Sequence, residues 1–330
     1  MKSSTLQINL FIFSFFVLFF IIWKTNIYLF IGIEELYIKS LIENINILST
    51  DNNFTFAGND EDRKFFRKYN IFLLSYFYTQ INHILLYLNL DSNLLIYFRY
   101  ALISFTLSGG VFFSLKCVEK ISNANTYVIW IYILSTVSYI LVIGGIAEAF
   151  SHFEFFFISG CLYFSMKKKA IMFILFSFFA VANRETGILT FFIYFLFNKK
   201  NFKTFLISMS PIIFFISSNV SFFLEYPFNY GKIIFVSSKP DLNLFDIFNM
   251  NKKKAIGSLL YTLIIYCPII YCVKQYKIFI NINHNLLFFL FIIIVNFGTF
   301  VGNIYPQLII IPFLSLIFFG KKLKTPTKLN

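Results

Sequence analysis

Charge is scarce in this chain. Only 13% of its 330 residues are Asp, Glu, Lys or Arg, whereas a soluble globular domain carries roughly a quarter. Arginine is scarcer still, with four (Arg63, Arg67, Arg99 and Arg184) among 28 basic residues. The four cysteines (Cys117, Cys161, Cys267 and Cys272) lie in or at the ends of apolar stretches. Cys267 and Cys272 have no His or Asp at metal-ligand spacing, so all four read as small hydrophobes rather than a metal centre. A cleavage site is missing as well. The apolar run from Leu6 is followed by Trp23 and Lys24 instead of small residues, and it reads as an uncleaved first span. There is no sequence repeat and no stretch with the composition of a separate soluble domain.

What fills the chain instead is apolar: 58% of residues are hydrophobic and 22% aromatic. Runs near 20 residues match a hydrocarbon core about 30 Å thick at 1.5 Å per helical residue. Backbone groups in lipid must be satisfied within the segment, which makes these runs helices. The expected fold is therefore all-α, a polytopic transmembrane helical bundle forming a single domain over 1–330. The 50 phenylalanines fit a low-GC codon bias, which favours Phe, Ile, Asn, Lys and Tyr together, better than a dedicated aromatic surface. The net charge of +13 does not imply nucleic acid, because lysines flanking apolar spans are the ordinary topological signal.

About ten spans are expected, at 6–23, 94–115, 126–144, 149–166, 170–182, 187–198, 204–223, 255–273, 285–301 and 304–320. Lysines then alternate to one side: Lys2, Lys116, Lys120, Lys167 to Lys169, Lys199, Lys200, Lys203, Lys274, Lys277, Lys321, Lys322 and Lys324. By the positive-inside rule that side is the cytoplasm, with both termini there. The first outer loop (24–93) is large and contains an amphipathic stretch from Ile33 to Leu48. A second outer loop runs over 224–254. Residues 71–90 carry no full charge, but Gln80, Asn82 and His83 lie at their middle, which favours an interfacial or re-entrant helix over a span. Lys252 to Lys254 fall outside, against the rule.

The acids sort the other way. Of 15 acidic residues, only Glu119 is expected on the cytoplasmic side. Asn183-Arg184-Glu185-Thr186 forms the strongest cluster. Its two arms are too short for a full crossing, so the turn is expected at or below the outer interface, where ionisable groups default to function. The alternative is that Asn183 caps the following helix with Glu185 in its first turn, which leaves Arg184 unexplained. A second cluster is Asp60-Glu61-Asp62-Arg63-Lys64 in the first outer loop. Its D-x-D pair could hold a divalent cation or supply a general base. Third come Glu148, His152 and Glu154, entering the fourth span. Two ligands at i, i+4 do not make a metal site, so a hydrogen-bonded pair at a cavity rim is the better reading. His83 and Arg99 are single polar residues for which a structural role is the default.

These residues resemble those of bacterial polytopic proteins related to the type C glycosyltransferases. The resemblance rests on an acidic first outer loop, and on a span opened by Glu154 and closed by Lys167 to Lys169. The Arg184-Glu185-Thr186 turn that follows completes it. It implies glycosyl transfer from a polyprenyl-phosphate-linked sugar to a glycan or lipid acceptor outside the cytoplasm, within surrounding membrane lipids. Asp60 or Asp62 would be the catalytic carboxylate. Arg184, Glu185, Arg63, Glu154 and His152 would bind the substrate. The chain departs from its relatives at Gly302 to Gln307, where a charged pair before the last span is missing. Two other functions fit the same composition: a polymerase of surface polysaccharide repeat units, and a lipid or solute transporter or flippase.

Overall fold

The computed structural model describes residues 2–26, 77, 79–91, 94–122, 124–144, 151–183, 187–188, 190–198, 201–218, 308–309 and 311–319. Among them there is no strand. The helices are α1 (Lys2–Asn26), α2 (Leu94–Ile121), α3 (Thr126–Gly144), α4 (Ser151–Met166), α5 (Ala170–Asn183), α6 (Thr190–Phe197), α7 (Phe202–Ser218) and α8 (Ile311–Phe319). The all-α expectation is met. Two helices, over Thr5–Lys24 and Leu94–Lys120, are long and apolar enough to cross a membrane, and shorter apolar helices cover Thr126–Val142, Ala170–Asn183 and Phe202–Ser217. The expected spans at 255–273 and 285–301 lie outside the described residues, as do the amphipathic stretch Ile33 to Leu48 and the second outer loop.

Helix α2 is the axis of the bundle, with α1, α3, α4 and α8 packed around it. It runs parallel to α4, since Thr106 pairs with His152 and Ser114 with Ser159. Glycine makes that approach close. A Cβ on Gly109 would enter the ring of Phe156, and one on Gly110 the ring of Phe155. The same device recurs where α4 meets α5 in an antiparallel hairpin, because Gly160 lies directly under Phe176. Small residues that let helix axes approach this way are the usual solution where packing, rather than water exclusion, holds helices together. Phe113, Phe156, Phe164 and Phe176 then interlock across the three helices, with ring centroids 5.0–5.6 Å apart.

Several buried serines offset the cost of burial by bonding to their own helix, whereas the Ser108 and Ser165 hydroxyls have no hydrogen-bond partner among the described residues. Ser14, Ser104, Ser114, Ser208 and Ser315 each donate to the carbonyl four residues back at 2.7–2.8 Å. Their hydroxyls therefore need no partner from elsewhere. The outer surface is apolar too: Phe13, Phe16 and Phe20 on α1, Ile131 and Val142 on α3, Ile171 on α5 and Ile213 on α7 are all exposed.

Helix ends follow local chemistry. Asn125 accepts from the Tyr127 amide at 2.9 Å and begins α3, while Asn201 accepts from the Thr204 amide at 2.8 Å and begins α7. Residues 79–87 form a helical stretch that ends at Asn89, whose φ of 53° lies in the left-handed region that Asn tolerates. Nine residues span only about 13 Å, and of these only Leu85 is buried. The described part of 71–90 is thus a short, largely exposed helix.

If glycine is what allows α2 and α4 to touch, Gly110→Leu drives a side chain into the fully buried Phe155. It is expected to destabilise the protein by about 1–3 kcal/mol, read as a lower thermal midpoint in mild detergent. Exposed Ile171→Leu should stay within about 0.5 kcal/mol of wild type.

Candidate functional site at one end of the bundle

The ionisable residues divide between the two ends of α2. At its C-terminal end, Glu119 accepts from Gln7 of α1 at 2.8 Å and from Thr126 of α3 at 2.9 Å, and pairs with Lys116 at 3.8 Å. Lys116 also donates to Gln7, and Lys120 donates to the Met166 carbonyl at the end of α4. Asn198, after α6, donates to the Ser165 carbonyl at 3.3 Å. The starts of α1, α3 and α7 and the ends of α2, α4 and α6 therefore meet here. This end carries the lysines that the sequence assigns to one side: Lys116, Lys120, Lys167 to Lys169 and Lys203.

The other end holds a different set. Arg99 and Thr106 lie two turns apart on one face of α2 and are buried. Arg99 is separated from Glu119 by about 30 Å along the helix. His152 and Glu154 open α4, and Asn183 closes α5; all three are also buried. Each of Arg99, His152, Glu154 and Asn183 engages partners of its own.

One pair within this set has defined chemistry. The Thr106 hydroxyl lies 3.0 Å from the Leu102 carbonyl, 2.9 Å from that of Ile103 and 2.8 Å from His152 Nδ1. A hydroxyl has one proton and two lone pairs. With the proton directed at the carbonyls of its own helix, the Thr106 oxygen accepts from Nδ1–H. In that arrangement Nδ1 is the donor of the pair, and Nε2 is left to face the rest of the site. The ring also lies against Phe153, with centroids 4.2 Å apart, so its orientation is held from two sides.

Glu154 sits two residues along from His152 and so projects from another face of α4. Its place in the first turn complements the helix dipole, and its burial at 1% exposure exceeds what that role requires. Glu148, the other member of this cluster in sequence, lies outside the described residues. Among the described residues no three His, Cys, Asp or Glu side chains gather as a metal site. Cys117 and Cys161 are buried and unbridged, and Cys267 and Cys272 lie outside the described residues.

The turn after α5 differs from the capping alternative. Asn183 is the last residue of α5, and the next described α-helix is α6, from Thr190. Gly187 lies against the end of α5, where a Cβ on it would collide with the backbone of Ala180 and Val181. Thr190 donates to the Gly187 carbonyl at 2.8 Å. Ala180 to Asn183, Gly187 and Thr190 are all buried. Arg184 and Glu185 lie outside the described residues, as do Asp60, Asp62 and Arg63.

Sequence reasoning gave Arg99 a structural default and did not single out Thr106. The available signal was spacing, since residues seven apart share a helix face, but nothing in the sequence aligns α2 with α4. No protein-family model, curated protein or solved structure matches the chain.

Thr106→Val keeps the shape of the side chain and removes the acceptor for Nδ1–H. It is expected to cost about 1–3 kcal/mol and to shift the His152 ring away from the Nδ1–H form in ¹⁵N spectra of histidine-labelled protein. Thr106→Ser should retain that form.

Proposed function

We propose that the chain is a polytopic membrane protein of a bacterial plasma membrane that transfers a sugar from a polyprenyl-phosphate donor to an extracytoplasmic acceptor. The observation that carries this reading is a buried polar end, Arg99, Thr106, His152, Glu154 and Asn183, in a bundle whose outer surface is apolar. Burying ionisable groups in such surroundings is expensive. They gather at the end opposite the lysines, which by the positive-inside rule is the extracytoplasmic one. The bundle would cross the membrane about ten times, with both termini in the cytoplasm.

On this reading Asp60 or Asp62 deprotonates the acceptor hydroxyl, with a divalent cation at that pair as an optional aid. Arg184, with Arg63, stabilises the departing lipid phosphate, as preorganised cations do for developing negative charge. Glu185, Glu154 and His152 bind the sugar, and Arg99 adds a fixed positive charge to the same end. Support for the roles of Asp60, Asp62, Arg63, Arg184 and Glu185 comes from the sequence, and support for His152, Glu154 and Arg99 comes from their shared burial. Sugar transfer requires the carboxylate and the phosphate-binding cations to face one cavity, and the buried end of α2, α4 and α5 offers the polar lining for it.

The lipid-linked glycan profile of a deletion strain tests the reading. The expected outcome is an oligosaccharide that lacks one sugar, whereas unpolymerised repeat units would indicate a polymerase and an unchanged profile would exclude both. In the purified protein, Asp60→Ala combined with Asp62→Ala should lower the transfer rate by about 10²–10⁴-fold. Transfer at the wild-type rate would remove these carboxylates from the mechanism.

A further inference from the structure

At the lysine end, three basic side chains occupy positions that helix energetics disfavours. Helix α4 closes with the Lys169 amide donating to the Phe164 carbonyl at 2.9 Å and the Lys168 amide to Ser165 at 3.0 Å. This pattern places the intervening residue in the left-handed region, a position normally held by glycine. Here Lys168 holds it, with φ at 57°. Lys169 is the N-cap of α5, since its carbonyl accepts the first helical bond from Phe173 at 3.0 Å. Lysine offers no side-chain acceptor there, and its charge opposes the positive end of the helix dipole. Lys203 lies in the first turn of α7, after the Asn201 cap, and opposes the dipole in the same way.

Among the described residues no acidic side chain pairs with these lysines. Lys120, Lys167, Lys168, Lys169 and Lys203 are all exposed. Lys120 lies within electrostatic reach of Lys167 and Lys168, so the group repels itself. Glu119 is the one acidic side chain at this end among the described residues, and Gln7, Lys116 and Thr126 already engage it. Apolar side chains stand beside the lysines: Ile171 is 82% exposed and Phe202 75% exposed. Exposed apolar groups next to a patch of one charge sign match a membrane interface, where acyl chains and anionic headgroups adjoin.

We propose that Lys120, Lys167, Lys168, Lys169 and Lys203 form a binding surface for anionic phospholipid headgroups, and that this binding offsets the local cost of the three misplaced lysines. Topology alone requires lysines near this end, but it does not require one in a left-handed position or at an N-cap. The proposal rests on the membrane reading above and is independent of sugar transfer.

The test uses the full chain in nanodiscs of phosphatidylcholine alone or mixed with phosphatidylglycerol, with thermal midpoint and lipid affinity as readouts. Wild type is expected to gain stability from phosphatidylglycerol. Lys168→Gly, Lys169→Asn and Lys203→Glu should each raise the midpoint in phosphatidylcholine, because each restores what the helix end prefers. Each should also weaken phosphatidylglycerol binding by about fivefold per lysine, and the triple variant should lose the gain. No gain in wild type, or a full gain in the triple variant, overturns the proposal and leaves codon bias as the origin of these lysines. A gain reproduced by inorganic phosphate in phosphatidylcholine discs also overturns it, in favour of a soluble anion. Alkaline carbonate treatment of native membranes separates the two readings. Extraction into the soluble fraction would end the membrane reading and this surface with it, whereas retention without a phosphatidylglycerol gain ends this surface alone.

Discussion

Gly109 and Gly110 lie directly under the rings of Phe155 and Phe156, and this contact between α2 and α4 fixes the relative height of the two helices. It sets Thr106 opposite His152 and Ser114 opposite Ser159. The same close approach, repeated by Gly160 under Phe176, brings α5 onto α4 and the end of α5 to the level of Glu154. A shift of one residue along α2 would carry Thr106 away from the imidazole by about 1.5 Å in height and 100° in direction, and no other described contact would restore the pair. The separation of polar and basic ends follows from this register.

Two kinds of buried polar group coexist in the interior. Ser104, Ser208 and Ser315 bond to their own helices and add no specificity, which lets an apolar bundle contain hydroxyls at little cost. His152 with Thr106, Glu119 with Gln7 and Thr126, and Trp130 with Ser14 at 2.9 Å bond between helices instead. Each of these cross-links ties a particular pair of helices in a particular register. The inter-helix network at the lysine end is a set of paired charges and amides. At the opposite end it contains the His152 imidazole bonded to Thr106, with Arg99 and Glu154 buried on the same two helices. That difference, rather than the number of polar residues, distinguishes a structural cap from a candidate reaction centre.

Much of the fold was legible in sequence. Long apolar runs have few ways to satisfy their backbones, so α2, α3, α4 and α5 begin or end within a few residues of the expected limits. Of the lysines that alternate along the chain, Lys116, Lys120, Lys167 to Lys169 and Lys203 meet at one end because successive helices reverse direction. The site was less legible. His152 and Glu154 could be singled out because ionisable residues are rare in apolar segments, yet their partners could not. Thr106 looked like any threonine on an apolar helix, and Arg99 like an isolated charge. Asn183 fitted a capping pattern in sequence, whereas in the structure it closes α5.

The sequence by itself determined that the described residues are helical and apolar, and that Lys116, Lys120, Lys167 to Lys169 and Lys203 lie towards one end. These properties depend on composition and on order along one chain direction. Only the tertiary structure decided which polar residues face one another, which serines are self-satisfied, and that Lys168, Lys169 and Lys203 stand where helix ends disfavour them. The physical reason is register. Two helices can slide and rotate against each other without altering their hydrophobic pattern, and only the fit of glycine against phenylalanine selects one arrangement.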